Sequence, residues 1–253
     1  MANPLKCSLY GLKIRDRNDS CLDTKTRQEL IKVPSSEKCN GKELCLIKNA
    51  HIKNKYYLPK IPNDWVISDK NPNLTDNWLS NFDINHVLKQ YEFVIPDYKF
   101  IGAFPIDFAH KTNGKCFIYQ MCDFNNFILN NTNYTKYGIV FNTAKSFESG
   151  QHWISMFINI NNRKIYFFDS SGEKSPKQIN AWIKSIPILS NFEFKINKLQ
   201  HQFKKTECGV YSVLFIISLA FAKNTDTDKI WNLWQTQRLP DDCVYDFRKK
   251  LYR

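Results

Sequence analysis

Cys208, His152 and Asp169 are the side chains in this 253-residue chain whose types suit chemistry at a carbonyl carbon. A cysteine attacks as its thiolate. An imidazole can take the thiol proton and later hand it to a leaving amine, while a carboxylate fixes the imidazole tautomer and supports the imidazolium. Gln202, which precedes Cys208 in the run Gln202-Phe-Lys-Lys-Thr-Glu-Cys208-Gly209, offers a side-chain N–H to a developing oxyanion, with the Cys208 backbone N–H as second donor. Together these are the parts of a thiol hydrolase.

The surrounding residues predict the elements that must bring these groups together. Thr206 and Glu207 lie where a helix would begin, and residues 210–222 are apolar nearly all round, which predicts a buried helix with Cys208 at its mouth. The unpaired amides and positive dipole end of a first helical turn favour thiolate over thiol. On its own such a cysteine reads as a small buried hydrophobe; the segment upstream gives it partners. Residues 150–160 and 165–172 are rich in β-formers and flank the polar turn Asn161-Asn162-Arg163-Lys164, so they predict a hairpin. The start of the first strand and the end of the second share one edge, which brings His152 towards Asp169. A helix is expected over 176–186, with Ile179, Trp182, Ile183 and Ile186 on one face, and a half-buried strand over 192–199 that delivers Gln202. Helices over 227–237 and 241–253 finish the chain, the last with Asp at its start and Lys and Arg at its end. Before the hairpin, residues 77–91 predict a helix with apolar spacing at Ile84, Val87, Leu88 and Tyr91. Residues 92–141 read as strands at 93–95, 98–101, 116–119 and 137–141, interrupted by an Asn-rich loop over 125–133. Strands flanked by helices, with the nucleophile on a central helix packed against the sheet, make an α+β core.

His152-Trp153, Phe-Phe-Asp169-Ser, and Gln202 followed by Cys208-Gly209, in this order, resemble the active-site signature of the SUMO-deconjugating Ulp/SENP-type cysteine peptidases and their relatives in large DNA viruses. Thr-Glu-Cys208-Gly, Leu-Ser-Asn81-Phe-Asp-Ile-Asn and the ending Phe247-Arg-Lys-Lys-Leu-Tyr-Arg are similar to segments of polyprotein-processing proteases of the African swine fever virus type, and more distantly the set resembles adenovirus-type maturation proteases. The resemblance implies a papain-like, Ulp-type core over 77–253, preceded by a small, mainly helical N-terminal arm over 1–76 that engages substrate or a partner. It also implies that Trp78 and Trp153 wall a narrow channel admitting Gly-Gly, a steric demand for residues without a Cβ. Asn81, which stands where the deconjugases usually have Asp, and Gly209 would contribute to substrate binding, and Asn142 of Asn142-Thr143 would support the active-site loop. The implied activity is cleavage of viral structural polyproteins after Gly-Gly-type sites during virion maturation, at assembly sites in the host cytoplasm and in the virion. Removal of SUMO or another ubiquitin-like tag uses the same machinery and is the alternative.

Composition narrows the remainder. Hydrophobic residues make up 43% of the chain and aromatics 15%, enough for a real core. The start Met-Ala-Asn-Pro-Leu-Lys shows no apolar signal region and the apolar run after Cys208 is too short for a bilayer, so the expectation is a soluble protein with no membrane partner. The eight cysteines form no C-x-x-C pair and no cysteine–histidine ligand pattern, so neither a metal nor another cofactor is expected, and reduced thiols are favoured over disulfides. A net charge of +12 is consistent with loose, non-specific affinity for DNA phosphates, yet Lys and Arg are spread over both halves without a nucleic-acid motif. A basic virion protein that binds nucleic acid without catalysis is the alternative from another class. His51, His86, His110 and His201 read as surface or packing residues, and the oligomeric state is left open by the sequence.

Overall fold

The computed structural model describes residues 78–93 and 95–251; the arm expected over 1–76 lies outside them. The first described element is helix α1, Asn81–Gln90. Ser80 caps it reciprocally with Asp83: the Ser80 hydroxyl accepts from the Asp83 N–H at 3.2 Å, and the Asp83 carboxylate accepts from the Ser80 N–H at 2.8 Å. Ile84, Val87 and Leu88 form its buried face, as the spacing predicts.

A five-stranded mixed sheet forms the middle layer: β1 Tyr98–Pro105, β4 Lys136–Asn142, β5 Trp153–Asn159, β6 Lys164–Phe168 and β7 Glu193–Ile196, in that spatial order. The outer pairs β1–β4 and β6–β7 are parallel, and the inner pairs β4–β5 and β5–β6 are antiparallel. The expected hairpin is β5–β6, with Ser155 opposite Phe168 and Asn159 opposite Lys164. Both faces of the sheet are covered, so its strands are apolar on both sides rather than alternating. Trp153 and Phe157 of β5 join the core under helix α5, Cys208–Phe221, whereas Ile154, Met156 and Ile158 join a second core with Phe108, Phe124 and Trp182. Trp182 belongs to helix α4, Lys177–Ser185.

Helix α5 is buried along 13 of its 14 residues. A Cβ added to Gly138 on β4 would come within 2.8 Å of Ile216 Cγ2 and of the Tyr98 hydroxyl, so the close seat of α5 on the sheet requires glycine there. At the far end of α5, the buried Lys136 ammonium donates to the Ala220 carbonyl at 3.2 Å, a cation at the negative end of the helix. Helices α6, Thr227–Thr236, and α7, Asp241–Leu251, complete this face. The result is an α+β architecture with the helix that carries Cys208 packed on the central sheet.

Three local expectations are corrected. Phe93, where a strand over 93–95 was predicted to begin, instead closes a 3₁₀ turn over residues 91–93. The stretch from 111 to 133, with a strand expected at 116–119 and a loop over 125–133, holds a two-stranded ribbon, β2 Lys111–Thr112 with β3 Lys115–Cys116, then two short helices, α2 Tyr119–Cys122 and α3 Phe124–Asn130. Phe124 and Ile128 of α3 are buried, and this apolar face outweighs the loop preference of the intervening asparagines. Cys116 and Cys122, expected as reduced thiols, form a disulfide with Cα atoms 6.3 Å apart, because the turn from β3 into α2 folds the chain back on itself. Cys243 is also disulfide-bonded, which leaves Cys208 as the free cysteine among the described residues.

Candidate active site

Two elements converge on the site: the open edge of the β5–β6 hairpin and the N-terminal end of α5. His152 directly precedes β5 and Asp169 directly follows β6, so the hairpin register sets them side by side. His152 Nε2 donates to Asp169 Oδ1 at 2.8 Å, and the same oxygen accepts from the Ser171 N–H at 2.7 Å. Cys208, at the mouth of α5, is near enough to the same imidazole to act on its pKa. Burial pulls the His152 pKa down, but the hydrogen bonds and negative charges of Asp169 and Cys208 outweigh it and lift the value to about 10.

Cys208 is buried at the first position of α5. Glu207, the residue at the helix boundary, makes no side-chain cap bond to the first-turn amides. The loop that leads into β5 is tied down at both ends: Asn142 Oδ1 accepts from the N–H groups of Ala144 at 2.9 Å and Gln151 at 3.1 Å, and the Thr143 N–H donates to the His152 carbonyl at 2.8 Å. Asn142 thus closes the loop whose last residue is His152.

Gln202 is buried with both ends of its amide engaged. Its Oε1 accepts from the Ser170 hydroxyl at 2.7 Å, and its Nε2 donates to the Lys204 carbonyl at 2.6 Å. An amide nitrogen carries two hydrogens, so one remains for an oxyanion. Trp153 is buried, its indole N–H donating to the Leu79 carbonyl at 2.8 Å, whereas Trp78 is 44% exposed. Gly209 lies beneath this contact: a Cβ there would stand 3.1 Å from Leu79 Cβ and 3.2 Å from Trp153 Cδ1. The structure therefore gives Trp153 and Gly209 packing contacts, and Asn81 is an exposed residue at the start of α1. Among the described residues there is no cluster of three or more potential metal ligands, and no helix is long and apolar enough to cross a membrane.

Sequence reasoning missed the side chains that hold these groups. Asn197, fully buried one residue after β7, accepts from the Asp169 N–H and donates to the Asp169 carbonyl, both at 2.8 Å. Ser170 fixes Gln202, and Arg248 pairs with Glu207 at 2.9 Å. A polar residue ending an alternating strand was the visible trace of Asn197; nothing in the sequence marks the other two. His201 is buried as a packing residue: its Nδ1 accepts from the Leu239 N–H at 3.0 Å and its Nε2 donates to the Trp234 carbonyl at 2.8 Å.

Comparison with known proteins places this geometry in context. Over 190 residues the chain is 30% identical to a putative thiol protease of Acanthamoeba polyphaga mimivirus, a match that covers 72% of this chain and 61% of that protein. It is 26% identical over 126 residues to the SUMO-1 cysteine protease of African swine fever virus (isolate Pig/Kenya/KEN-50/1950), covering 46% of this chain and 44% of that one. The chain thus spans about three fifths of the first relative and less than half of the second. The crystal structure of the ASFV protease superposes with a TM-score of 0.69 at 20% identity, covering 95% of this chain and 94% of that one, which shows a common fold. The segment 139–253, which carries His152, Asp169, Gln202 and Cys208, matches the model of the Ulp1 protease family, C-terminal catalytic domain.

Proposed function

We propose that the chain is a cysteine endopeptidase in which Cys208 is the nucleophile, His152 the base and then the acid, Asp169 the orienting carboxylate and Gln202 an oxyanion donor. The observation that carries this reading is the convergence of three groups: His152 Nε2 lies 2.8 Å from Asp169 Oδ1, and Cys208, buried at the mouth of α5, is near enough to the same ring to act on its pKa. The sulfur attacks as its thiolate, its proton passing to the ring. The attack forms the S–C bond and moves charge onto the carbonyl oxygen, where the Cys208 N–H and the second Gln202 amide hydrogen receive it. The imidazolium then protonates the leaving amine, and a water deprotonated by the same ring releases the acid and restores the thiol.

The substrate proposed is a viral polyprotein precursor cut after a Gly-Gly-type sequence during virion maturation, at assembly sites and in the particle, where the +12 charge would favour packaged DNA nearby. The similarity to viral thiol proteases supports it. The second reading, removal of a ubiquitin-like tag, is favoured by the family of the catalytic domain. Incubating the protein with precursor peptides bearing Gly-Gly-Xaa, and separately with SUMO conjugates, distinguishes them. Cleavage of the peptides alone supports the endopeptidase, cleavage of the conjugates alone supports the isopeptidase, and turnover that survives Cys208→Ala rules out both.

A further inference from the structure

Helix α7 grips the segment that leads into the nucleophile at two points. Asp241, at its start, accepts from the N–H groups of Phe203 at 3.2 Å and Lys204 at 3.4 Å. Two helical turns on, the Arg248 guanidinium donates to Glu207 Oε1 at 2.9 Å, and both side chains are buried, at 0% and 4% exposure. Glu207 is the residue immediately before Cys208.

Burying two ions costs several kcal/mol of hydration per ion, and apolar residues of similar size in such places are often as stable or more so. A role in stability alone therefore does not explain the pair. Its position does. An acidic side chain at the boundary of α5 is drawn by the positive end of the helix dipole towards the first-turn amides. There it would compete with an oxyanion for those amides and set a negative charge beside a thiolate, which disfavours the thiolate. Instead the Glu207 side chain makes no cap bond, because Arg248 draws it towards α7.

We propose that Arg248 and Glu207 are positioning residues for Cys208: their ion pair keeps the acidic side chain off the mouth of α5 and cancels its charge next to the reacting sulfur. This rests on the peptidase reading above. The other charged, titratable or polar groups that face this region are His152 before β5, Asp169 after β6, Lys204 in the entering segment, Thr206, whose hydroxyl donates to Glu207 Oε1 at 3.2 Å, Asp241 of α7 with its partner Arg238, and Tyr211 of α5, whose hydroxyl donates to Asp241.

The test is the pH dependence of Cys208 alkylation by iodoacetamide in the full chain, with Cys208→Ala as background and turnover of the Gly-Gly-Xaa peptides measured in parallel. Glu207→Gln keeps the shape and an acceptor for Arg248 but removes the negative charge next to the sulfur, so the midpoint of the alkylation profile moves to lower pH. Arg248→Met leaves the carboxylate uncompensated, so the midpoint moves to higher pH and alkylation at pH 7 slows by about tenfold or more. The double variant returns the midpoint towards that of the unmodified protein. Merely structural residues would lower Tm without displacing the midpoints in opposite directions, and that result overturns the proposal. If Arg248→Met does not fold, Glu207→Gln decides, since an unmoved midpoint is enough to reject the idea. A Cys208 that reacts no faster than a free thiol, with no peptide cleaved, removes the peptidase reading itself. A reactive Cys208 with unmoved midpoints removes only the positioning role.

Discussion

The carboxamide of Asn197 holds the backbone of Asp169 from both sides, accepting from its N–H and donating to its carbonyl at 2.8 Å each. The parallel β6–β7 ladder runs as far as Phe167 opposite Ile196, and the Asn197 side chain supplies the next backbone partner where the strands part. It also donates to the Leu199 carbonyl at 3.1 Å, so a single side chain closes the loop end that presents the acid to His152.

Asn197→Ala leaves the buried Asp169 N–H without its partner, while the Asp169 carbonyl keeps the Gly172 N–H at 2.9 Å. The expected loss is about 1–3 kcal/mol for the group left unsatisfied. Urea melts measure it, and kcat should fall in parallel because the carboxylate loses its fixed bearing on the imidazole. A variant with unchanged stability and kcat would contradict this assignment.

Asp169→Asn keeps the size of the side chain but removes its charge. The His152 midpoint, followed by NMR of the ring protons, is expected to fall from about 10 towards the ordinary 6.5. The sign for stability follows from the raised folded value. His152 protonation contributes fully below pH 6.5, and that contribution is lost as pH rises from there through about 10. The variant should lack this alkaline slope in denaturation measured from pH 6 to 10, and kcat/KM at pH 7 should drop about tenfold or more. An unmoved midpoint would show that Asp169 does not set the charge state of the ring.

Gln202→Ala removes a proposed oxyanion donor and should cost about 100- to 1,000-fold in kcat with little change in KM. Ser170→Ala keeps the amide but frees its Oε1 anchor, so a smaller kcat loss is expected with the same unchanged KM. Equal effects on kcat and KM in both variants would place Gln202 in ground-state binding instead.

His201 supplies a second pH signature, with the opposite sign. Burial, together with the charge of Arg238, lowers its pKa to about 4 against the raising effects of the Trp234 carbonyl and Asp241. The unfolded chain takes up this proton near pH 6.5 and the folded one only near 4. Stability from neutral His201 is thus fully present above pH 6.5 and is lost as pH falls towards 4, by roughly 3 kcal/mol. Urea melts at pH 7, 5.5 and 4 test this, and His201→Gln should flatten the slope. A slope that survives the substitution would assign the acid sensitivity to other groups.

The parts of the fold that the sequence made legible were those encoded over short distances. The apolar run of α5, the polar turn between β5 and β6 and the amphipathic face of α4 each carry their own periodicity. Because His152, Asp169 and Cys208 stand at the ends of such elements, their approach followed from the elements themselves. Asn197 and Ser170 act through side-chain bonds whose partners depend on how β7 and the segment after it lie beside β6, a parallel register with no local signature. The Glu207–Arg248 pair joins residues 41 positions apart on separate helices and was equally out of reach. The 119–130 region misled because asparagine favours loops, while its few buried apolar residues were enough to form short helices.

The most direct test of the central claim is to treat the protein with a peptide ending in Gly-Gly followed by a vinyl methyl ester, and to locate the adduct by mass spectrometry. The account predicts a thioether on Cys208, formed at least about 100-fold more slowly in His152→Ala. An adduct on another residue, or one on Cys208 that forms equally fast without the His152 imidazole, would contradict it.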